Sequence, residues 1–539
     1  MNKEYKSVRE IKEHGEAAIG KRIRELVSKE SVNSWYVNPK NKGWIGNSIE
    51  KDWFGLENNS RPEADFDTLG VELKCAGLKF FKRDGFWAAN ERLVLNIFDY
   101  DEKNKKDFQT SSFLKKSNLI KLVLYKYDPI EYYSFEGKEY PIYPDFIVSD
   151  SILFNLYDLM EEDLDIIRND WELIMNMIRE GRADEISEGM TQYLGAVTKG
   201  GKKKKNLTSQ PFSDKRAHRR AFSLKPSYMK EITRRIVNRQ LTSSTTYDSY
   251  VIDYPELHEQ SFDTQYDTRE HIITNPSELH TKTFEEIILN RLKPYHGMNK
   301  KILGEEFGVN IPAKNDKASS RLITQKMFNL QNDLEETDEF KKAGIVLKII
   351  TVKSNKRKKE SKKRLTTEGF KLESDISFIK DICDLEWEDT RVYDYLSTTK
   401  FLLFIYEETS KGEIFKGAKF WYMPEEDLVK RVSETWRKKK KILIEGVELT
   451  YKPVNNKKGF VVINNLPSNS NNTGVLHIRP SAEKSEYFEG KNSSRLPTPA
   501  RWKNRPENME NVLTNDYMVK QAFWLNKNYM YQQVKEYFE

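Results

Sequence analysis

The segment Asp65-Phe-Asp-Thr-Leu-Gly-Val-Glu72-Leu-Lys74 brings carboxylates and an ammonium into one short stretch. Residues 71–76 (VELKCA) read as a strand opening after Gly70. Side chains two apart on a strand share a face, so Glu72 and Lys74 project together. Asp65 precedes the strand and reaches that face from the end of the preceding segment. Carboxylates converging on one point repel each other unless a cation neutralises them, and hard oxygen ligands favour Mg²⁺. A lysine beside such a pair can hold or polarise an attacking water, or stabilise developing negative charge. Metal-activated water attacking phosphorus in line is the chemistry of phosphodiester hydrolysis, whose uncatalysed rate is so low that both contributions are needed. Amphipathic surface strands also produce Glu-x-Lys, so the neighbours of the motif decide its reading. Just upstream, Gly43-Trp-Ile-Gly-Asn-Ser-Ile-Glu50 reads as a turn feeding a helix that ends in an acid, and Glu50 is a further ligand or water anchor.

Several elements must position these groups. Helical spacing is expected over 17–27 and over 162–189, the latter from Ile166, Ile167, Trp171, Ile174, Met175 and Ile178. Strands are expected at 92–99 and 119–127, then at 344–352 and 400–406, with a helix over 284–292. Residues 241–280, rich in Ser, Thr, Asp, Tyr and His, read as a linker between domains at 1–240 and 281–539. The chain of 539 residues is long enough for such a division. A net charge of +7 permits a polyanionic partner. Two cysteines, Cys75 and Cys383, supply neither a disulfide framework nor a four-ligand zinc site, and fit a reducing, cytoplasmic setting. No signal peptide and no membrane span are expected. The seven histidines lack HExxH or clustered spacing, so a zinc enzyme is not expected. Gly195-Ala-Val-Thr-Lys-Gly200 lacks the Lys-Ser/Thr ending of a P-loop, so neither is ATP dependence.

The chain echoes itself. Residues 65–74 (DFDTLGVELK) align with 339–348 (EFKKAGIVLK), and 221–229 (AFSLKPSYM) with 522–530 (AFWLNKNYM). The two echoes fall in the same order, once per half, which points to two related domains in tandem. In the second copy Glu339 and Lys348 stand where Asp65 and Lys74 stand, and Val346 replaces Glu72. Loss of one of two metal carboxylates should abolish ordinary Mg²⁺ binding there.

Gly43-Trp44-x-Gly46 to Glu50, Arg61-Pro-Glu63, Asp65-Phe66 and Leu69-Gly70-Val-Glu72-Leu-Lys74 resemble the active-site region of MutH, the mismatch-repair nicking endonuclease of the PD-(D/E)xK fold. The likeness runs on through Asp170–Ile178 and Gln192-Tyr-Leu194 to Lys199 and Tyr228. A two-domain chain with such an N-terminus resembles the Sau-type type II restriction endonucleases, which cut GATC. Glu188-Gly189, Thr198–Gly200, Arg220–Lys225, Ile414–Glu426 and Phe523-Trp-Leu-Asn526 fit that group. The resemblance implies an α/β protein of two tandem MutH-like domains, each a mixed central sheet flanked by helices, the second catalytically degenerate and kept for DNA binding or regulation.

Carried over, Asp65 and Glu72 are metal ligands together with the Leu73 carbonyl. Lys74 is the catalytic lysine, Glu50 the upstream helix acid, and either Lys115 or Lys116 fills a further lysine position. Lys199, Arg219, Arg220, Lys225 and Tyr228 fall in the DNA-contacting region, with Lys527 and Arg479 as candidates in the second half. The lysine-rich runs 202–205, 353–364 and 437–441 are candidates for phosphate contact. The implied activity is Mg²⁺-dependent hydrolysis of double-stranded DNA at GATC, cut before the G to leave 5′-phosphates and 5′ overhangs. The alternative is a MutH-like nickase. One catalytic site meeting two scissile bonds implies a DNA-dependent homodimer. A methyltransferase is expected in the same cell without direct contact.

Overall fold

The computed structural model describes residues 4–57, 63–82, 84–97, 100, 107–159, 161–199, 207–238, 269–312, 317–354, 364–372, 377–454, 459–466 and 474–539. The lysine run 202–205, residues 355–363 of the run 353–364, most of the expected linker and Arg61-Pro62 lie outside the described residues. The chain forms two compact units, residues 1–287 with 335–344, and residues 288–334 with 345–539. The expected linker therefore does not end at a domain boundary. Residues 269–287 belong to the first unit, where Arg269 pairs with Glu231 at 2.6 Å and Glu285 accepts from Gln192 at 2.8 Å.

The first unit is built on a four-stranded sheet in the order β2-β1-β4-β5, comprising β1 (Val71–Phe81), β2 (Phe86–Ala89), β4 (Leu119–Lys126) and β5 (Ile147–Asn155). β1 and β4 are parallel and the outer strands antiparallel, so the sheet is mixed. A parallel pair needs a crossover. Here it runs through β2, β3 (Leu93–Ile97) and the helix Ser112–Ser117. β3 joins a second, antiparallel sheet, β3-β7-β6, with β6 (Leu194–Thr198) and β7 (Arg220–Leu224).

β1 starts where it does because Phe66 and Val71 exchange backbone hydrogen bonds around the tight turn Asp67–Leu69. Gly70 closes that turn at φ +65°, a conformation that disfavours any side chain. From there the strand alternates. Val71 and Leu73 enter a core with Ile11, Ile23, Trp35, Ile49, Phe54 and Val123, and Glu72 and Lys74 take the opposite face. Burying each large apolar side chain contributes roughly 1.5–3 kcal/mol.

The expected helix over 17–27 does not form. Helices occupy Val8–Glu16 and Ile23–Leu26, because the amides of Gly20 and Ile23 donate to Val148 and Phe146 beside β5 instead of to their own turn. The helix expected to reach 189 spans Glu161–Arg179. Gly181 stops it at φ +69°, and a Cβ there would lie 2.6 Å from the Phe212 carbonyl oxygen. The strands expected at 71–76, 344–352 and 400–406 extend to Phe81, Ser354 and Thr409, and the helix Phe284–Leu292 forms as expected.

The second unit carries a four-stranded sheet in the order β9-β8-β11-β12, with β8 (Val346–Ser354), β9 (Arg364–Thr366), β11 (Lys400–Thr409) and β12 (Gly412–Tyr422). Again the central pair, β8 and β11, is parallel and the outer strands antiparallel. A three-stranded antiparallel sheet, β10-β14-β13, joins β10 (Phe370–Lys371), β13 (Leu476–Pro480) and β14 (Gln521–Leu525). The strand part of the first echo, from residues 71 and 346 onward, and the whole of the second fall on matching elements, whereas 339–343 form a helix of the first unit and 67–69 a short turn. One lies on the first central strand of each mixed sheet, the other on the middle strand of each small sheet and the helix after it. Tyr228 of the first helix donates to Asp163, and Tyr529 of the second donates to Asp427 at 2.8 Å.

Candidate active site

The groups singled out in the sequence meet at the head of β1. Glu72 is almost fully buried on the strand. Lys74 Nζ lies 2.5 Å from Glu72 Oε1, and Lys116 Nζ 3.7 Å from Glu72 Oε2. Asp65 accepts from the Leu73 amide at 2.9 Å, which fixes its carboxylate beside the strand. Glu50 sits where the helix Trp44–Ser48 widens into the π turn Ile49–Trp53. Burial, then the negative charge of Asp65, pushes the Glu50 carboxyl up to about 7, against the pull of Lys74 and Lys116. Burial also raises Glu72, opposed first by Lys74.

A cation fits this donor set. Glu72 Oε2 is buried without a hydrogen-bond partner, and two of the acids hold protons more tightly than free carboxylates do. The ligand atoms of the three carboxylates do not all lie within 4.8 Å of one another, and Lys74 takes one Glu72 oxygen. The geometry also separates the two neighbouring lysines. On the helix Ser112–Ser117, Lys116 faces Glu72 and Lys115 faces solvent. Lys199 follows β6, where its amide donates to the Arg219 carbonyl at 2.7 Å. Burial, then the charges of Lys74 and Arg92, lowers its pKa. Arg92, at the start of β3, was not singled out in the sequence, because a lone arginine ahead of a strand carries no motif.

Three expected DNA contacts are corrected. Arg220 is buried, its guanidinium donating to the carbonyls of Ala196, at 2.7 Å, and Ile186. Lys225 is buried with Nζ 2.5 Å from the Thr191 carbonyl oxygen. Tyr228 is buried, stacks on Tyr193 at 4.7 Å and donates to Asp163. A buried donor left without a partner costs about 1–3 kcal/mol, so these side chains serve the fold. Phe222 and Leu224 lie in the core. Arg219 remains exposed beside the hairpin Leu207–Gln210/Ser213–His218.

In the second unit, Arg479 is exposed and covers the Trp524 ring at 4.4 Å, and Lys527 Nζ lies 2.5 Å from the Thr367 carbonyl oxygen. Lys348 lies on β8, over the Phe370 ring. Glu339, expected beside it, belongs to the first unit and accepts there from the Ile272 and Ile273 amides. The run 437–441, a candidate for phosphate contact, is part of the helix Ser433–Glu445. There Lys439 is buried against Phe378 and Phe523, and Lys440 donates to the Leu385 carbonyl.

The family model described as the DNA mismatch repair enzyme MutH matches residues 54–170, the stretch that holds Asp65, Glu72, Lys74 and Lys116. The type II restriction enzyme Sau3AI of Staphylococcus aureus is 33% identical over 546 aligned positions, covering 99% of this chain and 99% of that protein. The chain belongs to the Sau3AI family of type II restriction enzymes. That family consists of site-specific deoxyribonucleases, and the first unit carries its MutH-type nuclease domain. The MutH protein of Shewanella baltica (strain OS195) is 24% identical over 42% of this chain and 94% of its own length. That of Escherichia coli O6:K15:H31 is 30% identical over 29% of this chain and 62% of its own. Among the described residues no helix is long and apolar enough to cross a membrane.

Proposed function

We propose that the enzyme cleaves both strands of double-stranded DNA at GATC, before the G, leaving 5′-phosphates and four-base 5′ overhangs. The observation that carries this reading is the convergence of Glu50, Asp65 and Glu72 with Lys74 and Lys116 at the head of β1, within a chain matched end to end by a restriction enzyme. Asp65, Glu72 and the Leu73 carbonyl would hold Mg²⁺, with Glu50 beside them. Bound there, the ion supplies Lewis acidity to the scissile phosphate and lowers the pKa of water. Lys74 holds the attacking water on Glu72's face of the strand and shields the charge that builds on the phosphoryl oxygens. Lys116 adds a second positive charge from the helix side. The phosphorus–O3′ bond breaks as the water oxygen attaches, which leaves the phosphate on the 5′ side.

Lys115, Lys199 and Arg219 supply charge toward DNA from the first unit. The second unit serves as a non-catalytic copy that binds DNA, through Arg479 and Lys527 among others. Val346 supports this, since it stands where Glu72 stands on the matching strand of a sheet of the same order and sense. The enzyme acts on DNA as a homodimer, so plasmids with two sites should be cut faster than plasmids with one. The deciding test is digestion of unmethylated plasmid with Mg²⁺ and sequencing of the ends, beside Glu72→Ala. Double-strand ends that all begin GATC, absent with the variant, support the reading. Single-strand nicks alone would replace it with a MutH-like nickase, and loss of cleavage by neither variant nor chelator would remove the assignment of the site.

A further inference from the structure

The first unit holds a second convergence of metal-ligating groups that shares no residue with the nuclease centre. Glu161 and Asp165 lie one turn apart on the helix Glu161–Arg179 and so share a face. His280 ends the short turn Pro276–His280, which packs against that helix. His280 Nε2 lies 3.2 Å from Glu161 Oε1 and 3.2 Å from Asp165 Oδ2, and one ligand atom of each residue lies within 4.8 Å of the others.

Two arrangements place an imidazole nitrogen at that distance from two carboxylate oxygens. One is a protonated histidine bridging both acids. It offers a single Nε2–H for two acceptors, and it leaves Asp165 Oδ2, a buried atom, without a well-formed hydrogen bond. The other is a dication at the centre of the three. Tetrahedral ligands about 2.0–2.1 Å from Zn²⁺ stand roughly 3.3 Å from one another, close to the two separations of 3.2 Å that His280 makes here. A metal bonds all three atoms at once and satisfies the buried oxygen. Arg168 holds the other Asp165 oxygen at 2.8 Å, the outer contact that orients a ligating carboxylate. Glu161 and His280 are each about half exposed, so the ion has an entry path and room for a water as fourth ligand.

We propose that Glu161, Asp165 and His280 form a site for a borderline first-row dication of the Zn²⁺ class, which clamps the Pro276–His280 turn onto the helix. Mixed imidazole and carboxylate donors suit such ions, whereas Mg²⁺ prefers an all-oxygen octahedron, so the nuclease metal does not compete for it.

The test uses the full chain carrying Asp65→Asn and Glu72→Gln, which removes the nuclease centre as a competing site. Co²⁺ serves as the visible probe and Zn²⁺ as its competitor. The expected result is one equivalent of Co²⁺ with ligand-field absorption, displaced by equimolar Zn²⁺, and a melting temperature raised by Zn²⁺. His280→Ala and, independently, Glu161→Gln in that background should weaken binding at least about tenfold and remove the thermal shift. Both residues are exposed enough for either variant to fold. Undiminished Co²⁺ binding in both variants would overturn the proposal. So would the absence of any bound Co²⁺, which would leave the imidazolium bridge as the account of the cluster.

Discussion

The proton on Glu50 should set how the enzyme responds to Mg²⁺. The carboxyl sits at about 7 because burial and Asp65 outweigh Lys74 and Lys116. At pH 6 about one chain in ten carries it ionised, and each further unit downward costs another factor of about ten. Metal needs the ionised form, so binding releases the proton. With Mg²⁺ well below saturation, plasmid cleavage should fall about tenfold per pH unit below 7 and level off above it. Saturating Mg²⁺ should shift this limb to lower pH, because the ion displaces the proton. Glu50→Gln should remove the limb and raise the Mg²⁺ concentration needed for half-maximal rate. The same shift has a stability signature. Between the ordinary carboxyl value of 4.5 and about 7 the folded chain holds a proton that the unfolded chain has lost. The metal-free protein should therefore lose stability as pH rises through that window and regain it on adding Mg²⁺. The assay is the initial rate of supercoiled plasmid cleavage from pH 5.5 to 8.5 at two Mg²⁺ concentrations. A profile flat between pH 6 and 8 at low Mg²⁺, or an unchanged limb in Glu50→Gln, would refute the argument.

Three further outcomes follow from particular contacts. Lys116→Ala should slow cleavage on the order of 10²-fold, while Lys115→Ala should stay within a factor of about 2–3; equal losses in single-turnover assays would contradict the orientation of that helix. Lys342 is buried between Asp163 at 2.7 Å and Asp338 at 2.6 Å, so Lys342→Met leaves buried Asp163 with the Tyr228 hydroxyl and no cation while Asp338 keeps Arg235, and it should destabilise the first unit by about 3–5 kcal/mol in urea unfolding. A cost below about 1 kcal/mol would mean that water reaches the pair. Lys121 is buried beneath Gly15, where it donates to the Lys12 carbonyl oxygen at 3.3 Å, and burial lowers its pKa from 10.5 to about 7. Its penalty is full below about pH 7 and fades toward 10.5, so Lys121→Met should raise the melting temperature most at or below neutral pH and little near pH 10. A gain that does not depend on pH would separate the effect from the charge.

Periodicity carried much of the site into view. Alternation along β1 put Glu72 and Lys74 on one face and Val71 and Leu73 on the other before any fold was known, because strand geometry alone dictates it. The strand portions of the two echoes likewise fall on matching strands, since each is a local pattern of apolar and charged residues, whereas 339–343 form a helix of the first unit.

Only the tertiary structure decided what covers each face. Lys115 and Lys116 are adjacent and chemically identical, and the packing of one helix turns the second toward Glu72. Arg220, Lys225 and Tyr228 have the composition of a DNA-reading segment, yet neighbouring carbonyls and Asp163 take up their donors. Glu339 matches Asp65 in sequence, but its carboxylate accepts from the amides of Ile272 and Ile273, distant along the chain. His280 shows no metal-ligand spacing because its companions lie on a helix far upstream. The near-neutral Glu50 depends on burial and on charges brought from three other elements. A sequence fixes the direction of side chains within an element; desolvation and long-range pairing, which set burial, pKa and partner, arise only when elements pack.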